Sequence, residues 1–334
     1  MNKSKKENVY FSRKEFLKLG SLGLGGLLFT QTAKAKNTTN LKKQAIRFGV
    51  ISDLHYDLMH DADERASQFI NEMNRQQPDF IIQLGDFCVP KPENLKLMEI
   101  WNQFKGDKHH VLGNHDTDGG FTTTEALQFW NSPAAYYSFD KNNMHFIILN
   151  GNEKPTGSTL QGYPRHIDEK QLTWLKEDLQ KTKLRTVIFC HQAFDNTDNG
   201  LENGMQLRYL FEQINKEAGY SKVILVLSGH HHSNYHNHIN NIHYVQINSS
   251  SYYWVEGDYK SNAFSDDFYK QYPILRHTIV YKDPIWAMVE IDGKNKIKIK
   301  GKTSVFAGTE QEAPVGLTDV YPVTAKIDDR ELFY

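Results

Sequence analysis

The sequence predicts an α/β layered domain on three observations. From residue 45 onward, short β-branched or apolar runs alternate with stretches of helical periodicity, the pattern of strands and helices packed in layers. Five of the apolar runs pass directly into an Asp, Asn or His, at the strand end where open α/β sheets place their ligands. The 334 residues, 39% hydrophobic and 24% charged, have the composition of a globular protein with enough material for a sizeable core. No linker marks a boundary, so residues 36–334 read as a single domain.

Residues 1–35 stand apart. A basic stretch with Lys3, Lys5, Lys6, Arg13, Lys14 and Lys18 precedes a Gly/Leu-rich run from Leu19 to Phe29, and Ala33-Lys34-Ala35 follows. These are the three parts of an export signal peptide, with cleavage expected after Ala35. The apolar run is well short of the ~20 residues that cross a bilayer as a helix, so no transmembrane span is expected. An uncleaved amphipathic anchor is the alternative. Ser12-Arg13-Lys14-Glu15-Phe16-Leu17-Lys18 resembles the twin-arginine signal, with Lys14 where the second arginine is expected. The expected location is the periplasm or cell envelope, by either that route or the general secretory one.

The strand candidates follow in order. Ile46–Ile51 leads into Ser52-Asp53-Leu54-His55, and Phe80–Leu84 into Gly85-Asp86. His109–Leu112 leads into Gly113-Asn114-His115-Asp116, Thr186–Cys190 into His191, and Val223–Leu227 into Ser228-Gly229-His230-His231-His232. Helical spacing predicts helices over Asp63–Arg75, Asp168–Lys181 and about Glu202–Glu217, the second with an acidic first turn and lysines near its end. Tyr136–Asn150 alternates around Lys141-Asn142-Asn143 and reads as a hairpin. Trp286–Ile291 and Lys296–Lys300 form a second one around Asp292-Gly293-Lys294-Asn295. The polar last thirty residues, with Pro314 and Pro322, read as an extended strap.

Charge and cysteine content narrow the function. The formal charge is −1, but residues 36–334 hold 32 basic and 38 acidic residues, net −6. Such a domain has no generic pull on nucleic acid. Cys88 and Cys190, the two cysteines, exclude a disulfide scaffold and a Cys-rich zinc module. Buried free thiols are expected of them, with a disulfide as the alternative. The fifteen histidines are unevenly spread, and six of them stand in the motifs that follow the strand candidates.

Asp53, His55, Asp86, Asn114, His191, His230 and His232 offer imidazole nitrogen and oxygen donors with no thiolate. That set suits Mn, Fe or Zn in a catalytic rather than a structural site. Seven ligands are too many for one catalytic ion that keeps open positions. They divide into two fours if one carboxylate bridges, and two such ions can clamp a phosphoryl displacement.

The order Asp-x-His, Gly-Asp, Gly-Asn-His-Asp, His, Gly-His-x-His resembles the calcineurin-like metallophosphoesterase superfamily over residues 46–232. The resemblance implies a four-layer α/β/β/α sandwich with two mixed sheets. It implies two divalent or mixed-valence ions, one held by Asp53, His55, Asp86 and His232, the other by Asp86, Asn114, His191 and His230. It also implies His115 as general acid, oriented by Asp116, and in-line attack on phosphorus by metal-bound hydroxide without a covalent intermediate. Purple acid phosphatases of that superfamily carry a tyrosine where this chain has Val89. The motifs are more similar to its cyclic-nucleotide and glycerophosphodiester phosphodiesterase branch.

Residues around the motifs are candidates for substrate contact. His231 lies between two expected ligands, while His236 and His238 read as solvated. Tyr252 to Trp286 holds ten aromatics in 35 residues, and Tyr252-Tyr253-Trp254 could line a pocket for a flat leaving group or fill the core. Arg165 and Asn196, on loops leaving metal-bearing strands, could touch phosphate oxygens. The expected activity is hydrolysis of a small-molecule phosphodiester or phosphomonoester. The alternatives are a nucleotide pyrophosphatase or nuclease of the same fold, and a non-catalytic metal-binding scaffold.

Overall fold

The computed structural model describes residues 45–155, 157–159, 162–255, 257–308 and 321–334. The export-signal reading of residues 1–35 therefore lies outside the described residues, as does Pro314. Two six-stranded sheets form the body. In the first, β1 (Ile46–Ile51), β2 (Phe80–Gln83) and β3 (Asp107–His110) run parallel. On the other side of β1, β12 (Ala287–Ile291), β13 (Lys296–Gly301) and β14 (Arg330–Phe333) continue the sheet antiparallel. The second sheet has the order β4 (Tyr137–Lys141), β5 (Met144–Ile148), β6 (Arg185–Phe189), β7 (Val223–Ser228), β9 (Ile242–Gln246), β8 (Tyr235–Ile239). Its central β5, β6, β7 and β9 are parallel and both edge strands antiparallel. A two-stranded ribbon of β10 (Tyr252–Trp254) and β11 (Thr278–Val280) stands beside them.

Strand alternation explains the layering. Ile46, Phe48 and Val50 of β1 face a core shared with Phe80 of β2 and with Phe146 and Phe189 of the second sheet, so the two sheets pack face to face. Phe48 is at its centre, stacked on Phe80 at 4.8 Å and edge-on to Phe146 and Phe189. Ile51 and Ile81 point the other way, into a layer formed by α1 (Ala62–Gln76), α2 (Leu95–Trp101) and α3 (Thr123–Trp130). Ile147, Ile188 and Val226 likewise meet α4 (Glu169–Lys181) and α5 (Gly204–Ala218) on the far side of the second sheet. The order is helix, sheet, sheet, helix, the four-layer mixed α/β sandwich expected. A short α6 (Asp266–Gln271) packs by the ribbon.

Local chemistry sets the element ends. Asp168 caps α4 by accepting from the Gln171 N–H at 2.8 Å. The buried Lys222 ammonium donates to the Leu179 and Thr182 carbonyls at the other end of that helix. Asn142 and Asn143, with φ of 48° and 61°, make the turn between β4 and β5, and Asn240 and Asn241 make an equivalent one between β8 and β9. Asp292 accepts three backbone N–H bonds at the turn before β13. In the stretch read as a strap, residues 330–333 instead add an edge strand, and Ala325, Ile327 and Leu332 are buried against the inter-sheet core. Cys88 and Cys190 are buried free thiols.

Candidate metal centre

Parallel neighbours end on the same edge, so β1, β2 and β3 of one sheet and β6 and β7 of the other deliver their following residues to one place. The chain leaves these strands by sharp turns. Asp53, His55, Asp86, His230 and His232 all have left-handed backbones, with φ between 47° and 75°. Each such residue costs of order 1–3 kcal/mol, which persists only where the surroundings enforce it. Here the turns brace each other: the Asp53 N–H donates to the Gly85 carbonyl at 3.1 Å and the His55 N–H to that of Asp86 at 2.9 Å. Two glycines allow the close approach. A Cβ on Gly113 would lie 2.1 Å from the Asp86 nitrogen, and one on Gly229 would lie 2.0 Å from Ser52 Oγ and 2.6 Å from Asp53 Oδ2.

Two donor groups result, each with its ligand atoms within 4.8 Å of one another: Asp53, His55 and His232, and Asp86, His191 and His230. Each draws from both sheets. His232 Nε2 is 3.2 Å from His55 Nε2 and from Asp53 Oδ1. Asp86 Oδ2 lies between the groups, 3.7 Å from His55 Nε2 and 3.1 Å from His191 Nε2. The ring orientations are fixed from behind. Nδ1 of His191 donates to the Leu84 carbonyl and Nδ1 of His232 to that of Tyr252, both at 2.7 Å. In the neutral rings this turns the Nε2 lone pairs toward the carboxylates, the arrangement common to metal-binding histidines.

These residues fit cations. His191 Nε2 and Asn114 Oδ1 are buried without a hydrogen-bond partner, and buried polar atoms are rarely left so. A lone pair of His191 facing a carboxylate oxygen is two acceptors opposed, which a positive ion between them resolves. Without one, burial would lower the imidazole pKa, but Asp86 and Asp53 raise it to about 9. Burial likewise pushes the Asp53 carboxyl up, and His232 and His191 overcome it to hold it at about 2. His55 and His230 lack enough compensating charge, and burial drives both down. Neutral imidazoles and ionised carboxylates are the metal-binding forms.

His115 sits beside this centre, its ring 5.3 Å from that of His55 and its backbone N–H donating to Asp86 Oδ1 at 2.8 Å. Its ring partner is not the adjacent Asp116. Nδ1 contacts Asp118 Oδ2 at 2.7 Å and the Tyr163 hydroxyl at 3.1 Å. Burial lowers the His115 pKa, and Asp86 and Asp118 outweigh it to raise it to about 9. Asp116 faces the other way, fully buried, and accepts four backbone N–H bonds: from Asp86 and Gly113 on Oδ2, from Phe87 and Cys88 on Oδ1. The expectation that it orients His115 is corrected: it holds the turn that presents Asp86.

The other candidates divide. Trp254 is half-buried beside His115. Tyr252 is fully buried, stacks on His55 at 5.1 Å and supplies the carbonyl that fixes His232. Tyr253 is buried in the inter-sheet core, so neither of these two lines an open pocket. Arg165 does not point at the centre but donates to Asn199 Oδ1 and the Gly200 carbonyl, tying down the loop after β6. His231 Nε2 is bound to the Asp198 carbonyl of that loop at 2.8 Å. Asp118 and Tyr163 went unrecognised in the sequence. An Asp at i+3 of a histidine was a usable signal; Tyr163 offered none.

Comparison with solved structures gives the same fold. A dimetal phosphatase from Danio rerio matches with a TM-score of 0.56 at 14% identity, over 79% of this chain and 99% of that one. GAP50, described as the anchor in the inner membrane complex of Plasmodium, matches with a TM-score of 0.53 at 17% identity, over 87% and 89%. No curated protein matches significantly. A family model described as calcineurin-like phosphoesterase matches residues 46–234, more than half of the sequence. The chain belongs to that family of metal-dependent phosphoester hydrolases.

Proposed function

We propose that the protein is an exported phosphoesterase that hydrolyses a small-molecule phosphomonoester or phosphodiester with two divalent ions and His115 as general acid. Asp53, His55, Asp86 and His232 would hold one ion, and Asp86, Asn114, His191 and His230 the other. When bound, such a pair supplies Lewis-acid charge to the phosphoryl oxygens and acidifies water. Hydrolysis forms one phosphorus–oxygen bond from water and breaks the one to the leaving group, which takes up a proton. His115 is suited to give that proton from Nε2, because Asp118 occupies its Nδ1. Asp116 keeps Asp86 in place through the turn backbone.

The observation that carries the reading is the meeting of two donor groups at Asp86 with His115 alongside. The export reading rests on the order of basic, apolar and Ala-x-Ala segments in residues 1–35. GAP50, described as an anchor, has a similar fold, and a scaffold is the second reading; the full donor set of this chain favours catalysis. The test is metal-stripped protein refilled with Mn, Zn or Fe and assayed against phosphomonoesters, diesters and nucleotides, with metal content measured in parallel. About two ions per chain and metal-dependent turnover are expected. Metal retention without hydrolysis of any ester would turn the reading to a scaffold.

A further inference from the structure

Resting on that reading, the leaving group must depart past His115, so the side chains around this ring select it. Two partly exposed aromatic rings are there. Tyr163, 45% exposed, lies 4.7 Å from the His115 ring between centroids. Trp254 lies 6.2 Å away with its indole within 21° of the imidazole plane. Both are held. The Tyr163 hydroxyl donates to Asp118 Oδ1 at 2.8 Å, and Trp254 belongs to β10, paired with Thr278 of β11. Asp118 is bonded to both Tyr163 and His115, so its charge is already paired. Arg165, the cation expected nearby, is committed to Asn199 and Gly200. Two aromatic faces welcome a flat ring, and with Arg165 committed elsewhere they offer no cation to an anionic extension such as a second phosphate.

We propose that Trp254 and Tyr163 form a leaving-group subsite that selects phosphate esters of flat, uncharged aromatic alcohols. The shared chemistry is an aromatic face, supplied by either an aryl-substituted alcohol or a nucleoside. The rings act by stacking, and Tyr163 also fixes the orientation of His115 through Asp118.

Intrinsic reactivity must be held constant to see this. Benzyl phosphate and cyclohexylmethyl phosphate share a primary alkoxide leaving group of similar basicity and differ in whether the ring is flat and aromatic. The metal-loaded enzyme is expected to favour the benzyl ester in kcat/KM by about tenfold, the effect of one to two ring contacts. In Trp254→Leu and in Tyr163→Leu the preference should fall toward unity, and Trp254→Phe should restore most of it, a rescue that a merely structural residue would not give. Thermal unfolding of each variant checks folding. Adenosine 5′-monophosphate measured against ribose 5-phosphate separates a nucleoside from an aryl source. Hydrolysis of both simple esters at equal kcat/KM would overturn the subsite and leave the phosphoesterase reading standing. A preference that survives both leucine variants would also overturn it. Hydrolysis of no ester in the panel would overturn both.

Discussion

Replacing Asp116 by Asn distinguishes a residue that builds the site from one that does chemistry. Each carboxylate oxygen accepts two backbone N–H groups, at 3.1 and 2.7 Å on Oδ2 and 2.7 and 3.0 Å on Oδ1. An amide keeps one acceptor oxygen and sets an NH2 against the other two donors. Two buried N–H groups then lose their partner, at about 1–3 kcal/mol each, so the loss is roughly 2–6 kcal/mol. For a chain of this size, at about 1.5 °C per kcal/mol, the melting temperature should drop by roughly 3–9 °C. The assay is thermal unfolding in chelator, so that differences in ion binding do not contribute, with metal content measured separately. A melting temperature within about 1 °C of the parent, accompanied by loss of hydrolysis, would refute the reasoning and return Asp116 to the role of partner for His115.

Other expectations follow from the same geometry. His145 is buried between Asp140 at 2.6 Å and Asp178 at 2.8 Å; burial lowers its pKa, but the two carboxylates raise it above the ordinary value. Its contribution is therefore present in full below about pH 6.5 and lost as pH rises through the raised pKa. His145→Gln should cost about 1–3 kcal/mol at pH 5.5 and less at pH 9.5, read from urea midpoints; a penalty that grows with pH would contradict the ion-pair account. Gly113→Ala would bring a methyl against the Asp86 backbone nitrogen, and mass spectrometry of the metal content should find fewer bound ions while far-ultraviolet circular dichroism is retained. Phe48→Ala should cost about 3–5 kcal/mol, because the ring fills the centre of the inter-sheet core; a loss under 1 kcal/mol in equilibrium unfolding would mean that the core collapses around the gap.

The two sheets and the donor residues were legible because each donor follows an apolar run, and a strand end is visible in sequence as the point where that run stops. Asp116 was misread because adjacency in sequence is not adjacency in space. The chain makes a 3-10 turn from His115 that breaks at a kink at Asp118 and Gly119; in such a turn side chains at i and i+3 eclipse, so Asp118 rather than Asp116 meets His115. Tyr163 arrives from a loop 48 positions away, a distance that no local pattern spans. The β8–β9 hairpin escaped notice although Asn240-Asn241 repeats the Asn142-Asn143 signal, because β8 reads Tyr-His-Asn-His-Ile and lacks an apolar alternation. The charged β14 was hidden for a similar reason: an edge strand needs few apolar residues to join a sheet.

Because each donor group takes ligands from both sheets, a cation seated there would act as a rivet through the seam of the sandwich. Sliding one layer against the other would disturb both clusters together, so occupancy and mechanical integrity at that rim become a single property. The opposite rim is tied by Lys141 to Asp107 and by Asn142 to Asp79 whether or not ions are bound, so the first opening of the ion-free protein should begin at the edge where the donors meet.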